Sequence, residues 1–163
     1  MHLIGDIHQP LHVGKSEDAG GHKINLKWFD KNTNLHKVWD ENLIEFQKLS
    51  YTEYTAFIDH INSADAKKWE KSSIIDWVNE GMQEREKIYA GLKDENGKKT
   101  YNLGHKYNFD NIEVLNNRLR RAGVRLAAFL NNIFDNRKNI DSDKIREKLG
   151  AEPGYGLKGG QGD

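Results

Sequence analysis

Apolar residues recur at intervals of three and four along most of the chain, and the longest such run predicts the longest helix. Ile112, Leu115, Leu119, Val124, Leu126, Phe129, Leu130 and Ile133 mark a core face over about 110–134, the expected scaffold. A second amphipathic helix starts at Ser72 and ends before Gly91, with Ile74, Ile75, Trp77, Val78, Met82 and Ile88 on or near one stripe. Ser50 is placed to cap a helix through Tyr54, Phe57, Ile58 and Ile61, and Ser63 a shorter one through Trp69. Thr33 is placed to cap another that runs to about Lys48 and carries Leu35, Val38, Trp39, Leu43 and Ile44. Between Lys23 and Trp28 the period changes to two: Ile24, Leu26 and Trp28 alternate with Lys23, Asn25 and Lys27, as in a half-buried strand. With a turn at 30–33, that gives an all-α fold carrying a short β-hairpin-like insertion near 22–32. Met1 to Ile7 reads as the end of a helix, stopped by Pro10, whose ring disfavours helical geometry at Gln9. Residues 92–105 hold turn signals such as Asn96-Gly97 and no periodicity, so they read as a loop.

Composition narrows the possibilities. With 163 residues and 36% hydrophobic content, the chain can build one domain with a real core. Lys+Arg and Asp+Glu number 25 each, so there is no polybasic surface of the kind that grips duplex DNA by counterion release. Contact with nucleic acid would have to come from metal ions and stacking. The absence of cysteine excludes thiolate zinc, disulfides and cysteine nucleophiles. No apolar run approaches a membrane span, and the start lacks the basic and apolar segments of a signal peptide. Past Asn136 the chain is charged, and its Gly-rich end, 154–163, has too little apolar surface to order itself, so 136–163 is expected to be a mobile tail.

The candidate chemistry lies in the first forty residues. His2 with Asp6, and His36 with Asp40, stand four residues apart, which on a helix sets both side chains on one face. One such pair is ordinarily a surface ion pair. Two pairs, each among apolar neighbours, must find partners inside the fold, because an unpaired buried carboxylate costs several kcal/mol. A metal ion satisfies imidazole and carboxylate together, and zinc takes both in hydrolytic sites. With His12, the two pairs offer more ligands than one ion needs. His8 follows Asp6 too closely to share its face and reads as structural. His60, beside Phe57 and Ile61, reads as a packed or surface histidine, and His105 has no carboxylate at ligand spacing. A phosphate-binding GxxxxGK[ST] loop and a GxSxG elbow are both absent. His2 also sits directly after Met1, in what reads as the last turns of a helix. Ligands need a rigid backbone and chain ends seldom supply one, so the expectation is a truncated sequence.

The runs His2-Leu-Ile-Gly-Asp6-Ile-His-Gln-Pro-Leu-His12, Asp18-Ala-Gly-Gly21, Trp28-Phe29 and Asn34-Leu-His36-Lys-Val-Trp-Asp40 resemble the zinc-dependent, single-strand-specific type I nuclease family of fungi, plants and bacteria, a relative of the bacterial zinc phospholipases C. The resemblance extends through Trp77-Val-Asn-Glu80, Ile88-Tyr89 and Leu119-Arg-Arg-Ala-Gly-Val-Arg-Leu-Ala127, to about residue 135. It implies a mostly helical domain with three zinc ions in one cleft, of which residues 1–135 would be the C-terminal portion. By motif position, His2 and Asp6 would serve a closely spaced zinc pair, with Asp6 bridging it as the catalytic carboxylate. His12, His36 and Asp40 would hold the third zinc. The family's remaining ligands, an amino-terminal Trp, two His and one Asp from the upstream half, have no counterpart here. His22 stands where the family typically has Asn.

The implied activity is endonuclease cleavage of single-stranded DNA or RNA with release of phosphate from 3′-nucleotides, by a protein that is secreted or periplasmic in its full-length form. No membrane or protein partner is implied. Two alternatives stay open: a phospholipase C-like zinc phosphodiesterase, and a non-catalytic helical remnant that binds metal.

Overall fold

A computed structural model describes residues 1–92 and 101–136. Its elements are α1 (His2–Asp6), β1 (Asn25–Trp28), β2 (Lys31–Asn34), α2 (Leu35–Lys37), a π-helical turn (Val38–Asn42), α3 (Leu43–Phe46), α4 (Tyr51–Ile58), α5 (Ser63–Glu70), α6 (Ile74–Ala90), β3 (Asn102–Leu103) and α7 (His105–Asn136). The fold is thus mainly helical with a small sheet, as the periodicity predicts. Two compact units divide it within α7. Met1–Ala128 holds every other described element, and the described part of Phe129–Asp163 is the last turns of α7. Past Asn136, the expected mobile tail lies outside the described residues.

The hairpin turns earlier than expected. Phe29 and Asp30 both take positive φ, 46° and 65°, and Trp28 pairs with Lys31, so two residues close the hairpin and 31–34 form its second strand. Positive φ at both central positions gives a turn whose twist matches that of the flanking strands. A third strand comes from the segment read as a loop: β3 pairs parallel to β1, Leu103 opposite Trp28. Two residues are too few to show a period of two. The part of that segment over 93–100 lies outside the described residues.

Helix starts follow capping chemistry, shifted by one residue in three places. Ser50 caps α4 as expected, in a reciprocal box with Glu53. Asn34 rather than Thr33 caps α2, Asn62 rather than Ser63 caps α5, and Ser73 rather than Ser72 caps α6 in a box with Asp76. Ser72 is not free to cap. Its hydroxyl donates to the Trp69 carbonyl at 2.6 Å and accepts from Trp77 Nε1 at 2.9 Å and Arg125 Nε at 3.0 Å.

The core lies where the hairpin, α2, α3, α4, α6 and α7 each bury part of one cluster. It comprises Leu11, Leu26, Trp28, Leu35, Val38, Trp39, Leu43, Tyr54, Ile58, Ile88, Leu103, Tyr107 and Leu115. Within it Trp39 Nε1 donates to the Tyr107 hydroxyl at 3.0 Å and the Tyr54 hydroxyl to Asn116 at 2.7 Å. Ile74, Ile75 and Met82 are exposed rather than buried, and α6 packs through Trp77, Gly81 and Ile88. Helix α7 departs further. Leu119, Phe129 and Ile133 are exposed, while Asn116, Arg118 and Arg125 are buried beside Leu115.

The buried arginines are possible because Glu80 of α6 meets them. Arg118 Nη1 and Arg125 Nη1 each reach Glu80 Oε2 at 2.8 Å, and Arg121 Nη1 reaches Oε1 at 2.9 Å. Burial raises the pKa of Glu80, but hydrogen bonds and charge from Arg125 and Arg121 outweigh it and hold the carboxyl at about 2. The same arginines lock the chain behind α1. Arg118 Nε donates to the His8 carbonyl at 2.8 Å, and Arg125 Nη1 lies 2.8 Å from His8 Nε2. His8 Nδ1 lies 2.6 Å from the Ile4 carbonyl. Neutral imidazole with its proton on Nδ1 satisfies both contacts, donating to Ile4 and accepting from Arg125. Burial chiefly, with the Arg118 and Arg125 charges adding to it, pushes the pKa of His8 down to about 4 against the Ile4 hydrogen bond, which raises it. His8 is therefore part of the frame that holds α1, consistent with its spacing.

Candidate metal centre

Helix α1 presents Asp6, the irregular segment after it presents His12, and the stretch from α2 into the π-helical turn presents His36 and Asp40. Helical spacing brings His36 Nε2 to 3.1 Å from Asp40 Oδ2. His12 Nε2 reaches Asp40 Oδ1 at 3.3 Å, and its Nδ1 lies 2.8 Å from Asp6 Oδ1. One ligand atom from each of His12, His36 and Asp40 falls within 4.8 Å of the others, a group that could hold a metal ion. A tetrahedral ion bound at about 2.0–2.1 Å spaces its ligand atoms about 3.3 Å apart, close to the two carboxylate separations here.

The tautomers also suit an ion. His36 Nδ1 lies 2.8 Å from the Gly20 carbonyl, which can accept only a hydrogen, so the proton sits on Nδ1 and the Nε2 lone pair faces Asp40. His12 Nδ1 likewise faces two acceptors, Asp6 Oδ1 and the Asp6 carbonyl at 3.1 Å, which turns the Nε2 lone pair to the same place. Gln9 adds a clamp from the loop: its amide donates to Asp40 Oδ1 at 2.9 Å while its Oε1 accepts from the Leu11 amide at 2.5 Å.

Glycine is required where the loop carrying the Gly20 carbonyl turns. Gly20 and Gly21 take φ of +63° and +90°, and a Cβ on Gly20 would stand 2.6 Å from the Leu11 carbonyl oxygen. Asp18 holds this turn, one carboxylate oxygen accepting from the Gly21 amide at 2.9 Å and the other from the Tyr89 hydroxyl at 2.7 Å. Burial first, and then the Asp18 hydrogen bond and charge, push the Tyr89 phenol up, so it remains a donor. His22 stacks on His36, ring centroids 3.7 Å apart.

The four residues singled out by spacing, and His12 with them, thus fall in one neighbourhood. His2 stands at its edge, almost fully exposed, with Nε2 3.9 Å from Asp6 Oδ1. Asp6 is the link between His2 and the three-residue group. A cavity of about 420 Å³ opens beside them, bordered by His2, Asp6, His12 and Asp40 on one side and by Leu115, Leu119 and Leu126 of α7 on the other. Gln9, Asp18, the Gly20 carbonyl and Tyr89 carry no ligand spacing, so counting intervals does not assign them a part. The opening run for Gln9, Asp-Ala-Gly-Gly for Asp18 and Gly20, and Ile88-Tyr89 for Tyr89 are their only trace in the motifs. Among the described residues, no helix is long and apolar enough to cross a membrane.

Comparison with known proteins agrees with the motif wording. Residues 1–135 match the S1/P1 Nuclease family. Endonuclease 3 of Arabidopsis thaliana is 33% identical over 150 residues, which cover 85% of this chain and 51% of the plant protein. Endonuclease 2 of the same plant is 34% identical over 148 residues, 82% of this chain and 49% of the relative. Nuclease S1 of Aspergillus oryzae is 49% identical over 45 residues, 28% of this chain and 15% of the fungal protein. The chain spans about half the length of the plant relatives it matches. From residue 1 to residue 135, the stretch that contains every candidate ligand, this chain belongs to the S1/P1 nuclease family.

Proposed function

We propose that this chain is the C-terminal, metal-holding portion of a zinc-dependent phosphodiesterase that cleaves single-stranded DNA or RNA and releases phosphate from 3′-nucleotides. The observation that carries the reading is the convergence of His12, His36 and Asp40, with both imidazoles held in the tautomer that frees Nε2. Zinc bound there would supply Lewis acidity, lowering the pKa of water to near neutral and offsetting charge on a phosphodiester.

The chain's own residues do the rest. His12, His36 and Asp40 would hold one ion as a three-ligand shell, and His12 and Asp40 of that group border the cavity. His2 and Asp6 would serve a neighbouring zinc pair, and Asp6, 2.8 Å from His12, links the two groups. With no net charge in the chain, grip on a polynucleotide falls to the metal centre and to base stacking, which favours flexible single strands and shows little sequence preference. Names of the relatives, Endonuclease 3 and Nuclease S1, support the substrate class. Because that pair would have only His2 and Asp6 from these residues, the 163-residue chain by itself should be nearly inactive.

Cleavage should appear in a protein lengthened by the coding sequence upstream of Met1, assayed in parallel on a single-stranded oligonucleotide and on phosphatidylcholine. The expected result is chelator-sensitive cleavage of the oligonucleotide alone. Hydrolysis of the lipid alone would favour the phospholipase-like alternative, and turnover of neither would favour a non-catalytic remnant.

A further inference from the structure

Helix α6 reaches the metal centre without lending it a ligand. The Tyr89 hydroxyl donates to Asp18 at 2.7 Å, Asp18 accepts the Gly21 amide at 2.9 Å, and the adjoining Gly20 carbonyl lies 2.8 Å from His36 Nδ1. We propose that Tyr89 and Asp18 are positioning residues for His36: by fixing the Gly20–Gly21 turn, they aim the Gly20 carbonyl and so select the imidazole tautomer that can bind metal.

The turn needs such a brace. Its two glycines have the widest backbone freedom of any residue, and the backbone bonds of Gly20 N–H to the Lys15 carbonyl and of Ile24 N–H to the Gly21 carbonyl tie the neighbouring peptides, not the Gly20–Gly21 peptide that carries this carbonyl. A rotated carbonyl no longer selects the Nδ1–H form. The proton can then move to Nε2, the atom that faces Asp40, where it blocks coordination. Asp18 spends both carboxylate oxygens on this brace, one on each side of the turn. Tyr89 is carried by a 17-residue helix whose Ile88 is buried in the core, so the fixed point is a rigid one. Among the described residues, no hydrogen bond or ion pair of Tyr89 or Asp18 reaches a candidate ligand, so their effect must pass through the turn.

This inference rests on reading His12, His36 and Asp40 as a metal shell, so the test separates the two. Affinity of the 163-residue chain for Co²⁺ is measured by competition with a chelating dye in wild type, Tyr89→Phe, Asp18→Ala, Asp18→Asn and His36→Ala. The ring ¹⁵N shifts of His36 are read in the metal-free proteins. Outer partners of metal-bound histidines are typically worth 10–100-fold in affinity, so Tyr89→Phe, which keeps the ring and its packing, should weaken Co²⁺ binding by about tenfold. Asp18→Ala should weaken it further, and Asp18→Asn, which keeps an acceptor for the Gly21 amide, should recover most of the loss. In Tyr89→Phe and Asp18→Ala the ¹⁵N shifts should move from a single Nδ1–H form toward a mixture. Unchanged affinity in Tyr89→Phe and Asp18→Ala overturns the inference, and so does weakened affinity with an unchanged tautomer. If His36→Ala also leaves Co²⁺ binding intact, the shell itself is wrong and the brace falls with it.

Discussion

Replacing Glu80 with Gln should lower unfolding stability by about 3 kcal/mol, the low end for breaking a buried ion pair by removing one partner. The low end is chosen because the Glu80 side chain is one-quarter exposed, whereas Arg118 and Arg125 are 5% and 1% exposed. The cost comes from those two guanidiniums, left in the interior without a counter-charge. An amide also offers only one acceptor oxygen to the three arginines that share this carboxylate. Urea denaturation of the two proteins measures the difference, and a change under 1 kcal/mol would contradict the account. The pH dependence has a definite sign. The folded-state pKa of Glu80 is held at about 2, below the ordinary 4.5, so its contribution is complete above 4.5 and is lost as pH falls toward 2. Wild type should therefore lose stability over that window more steeply than Glu80→Gln.

Asp6→Asn should abolish turnover in the lengthened protein, by on the order of a hundredfold or more in kcat/KM on single-stranded DNA. Asp6 Oδ1 lies 2.8 Å from His12 Nδ1, a nitrogen that keeps its proton because it also faces the Asp6 carbonyl, so an asparagine must turn its oxygen to that side and its NH₂ to the other. The side chain then brings no charge and no second acceptor to the metal side. Displacing a reacting group by about 1 Å can alone cost that much. Asp6 is partly exposed and contributes little to the core, so thermal stability without metal should stay near wild type. Activity within threefold of wild type would remove Asp6 from the catalytic role proposed for it.

How much of this was legible depended on distance along the chain. The His2/Asp6 and His36/Asp40 pairs are local, so helical period alone placed each of them, and the capping box of Ser50 with Glu53 was equally local. The other helix starts came out one residue off because two cap-forming residues stand side by side, and at Ser72 a distant contact takes one of them. Ser72 is the clearest case, its hydroxyl being held by Trp77 and Arg125. The meeting of His12 with Asp40 depends on a loop folded through left-handed glycines, which no periodicity reports. The burial of Arg118 and Arg125 was hidden for a related reason. Charged residues default to the surface in any hydrophobic pattern, and the counter-charge that offsets their burial, Glu80, lies 38 and 45 residues away. The partial failure of the α7 stripe follows, since Arg118 and Arg125 are buried while Leu119 is left exposed.

The claim on which the rest depends is that His12, His36 and Asp40 hold one zinc ion. Metal content by mass spectrometry of the purified 163-residue chain, after dialysis against metal-free buffer, tests it directly. About one zinc ion per chain should remain, a three-ligand shell with an open fourth position being sufficient to retain it. The triple variant His12→Ala, His36→Ala, Asp40→Ala should carry only background zinc while keeping its helical circular dichroism. Full zinc content in that variant, or none in the wild-type chain, would contradict the account.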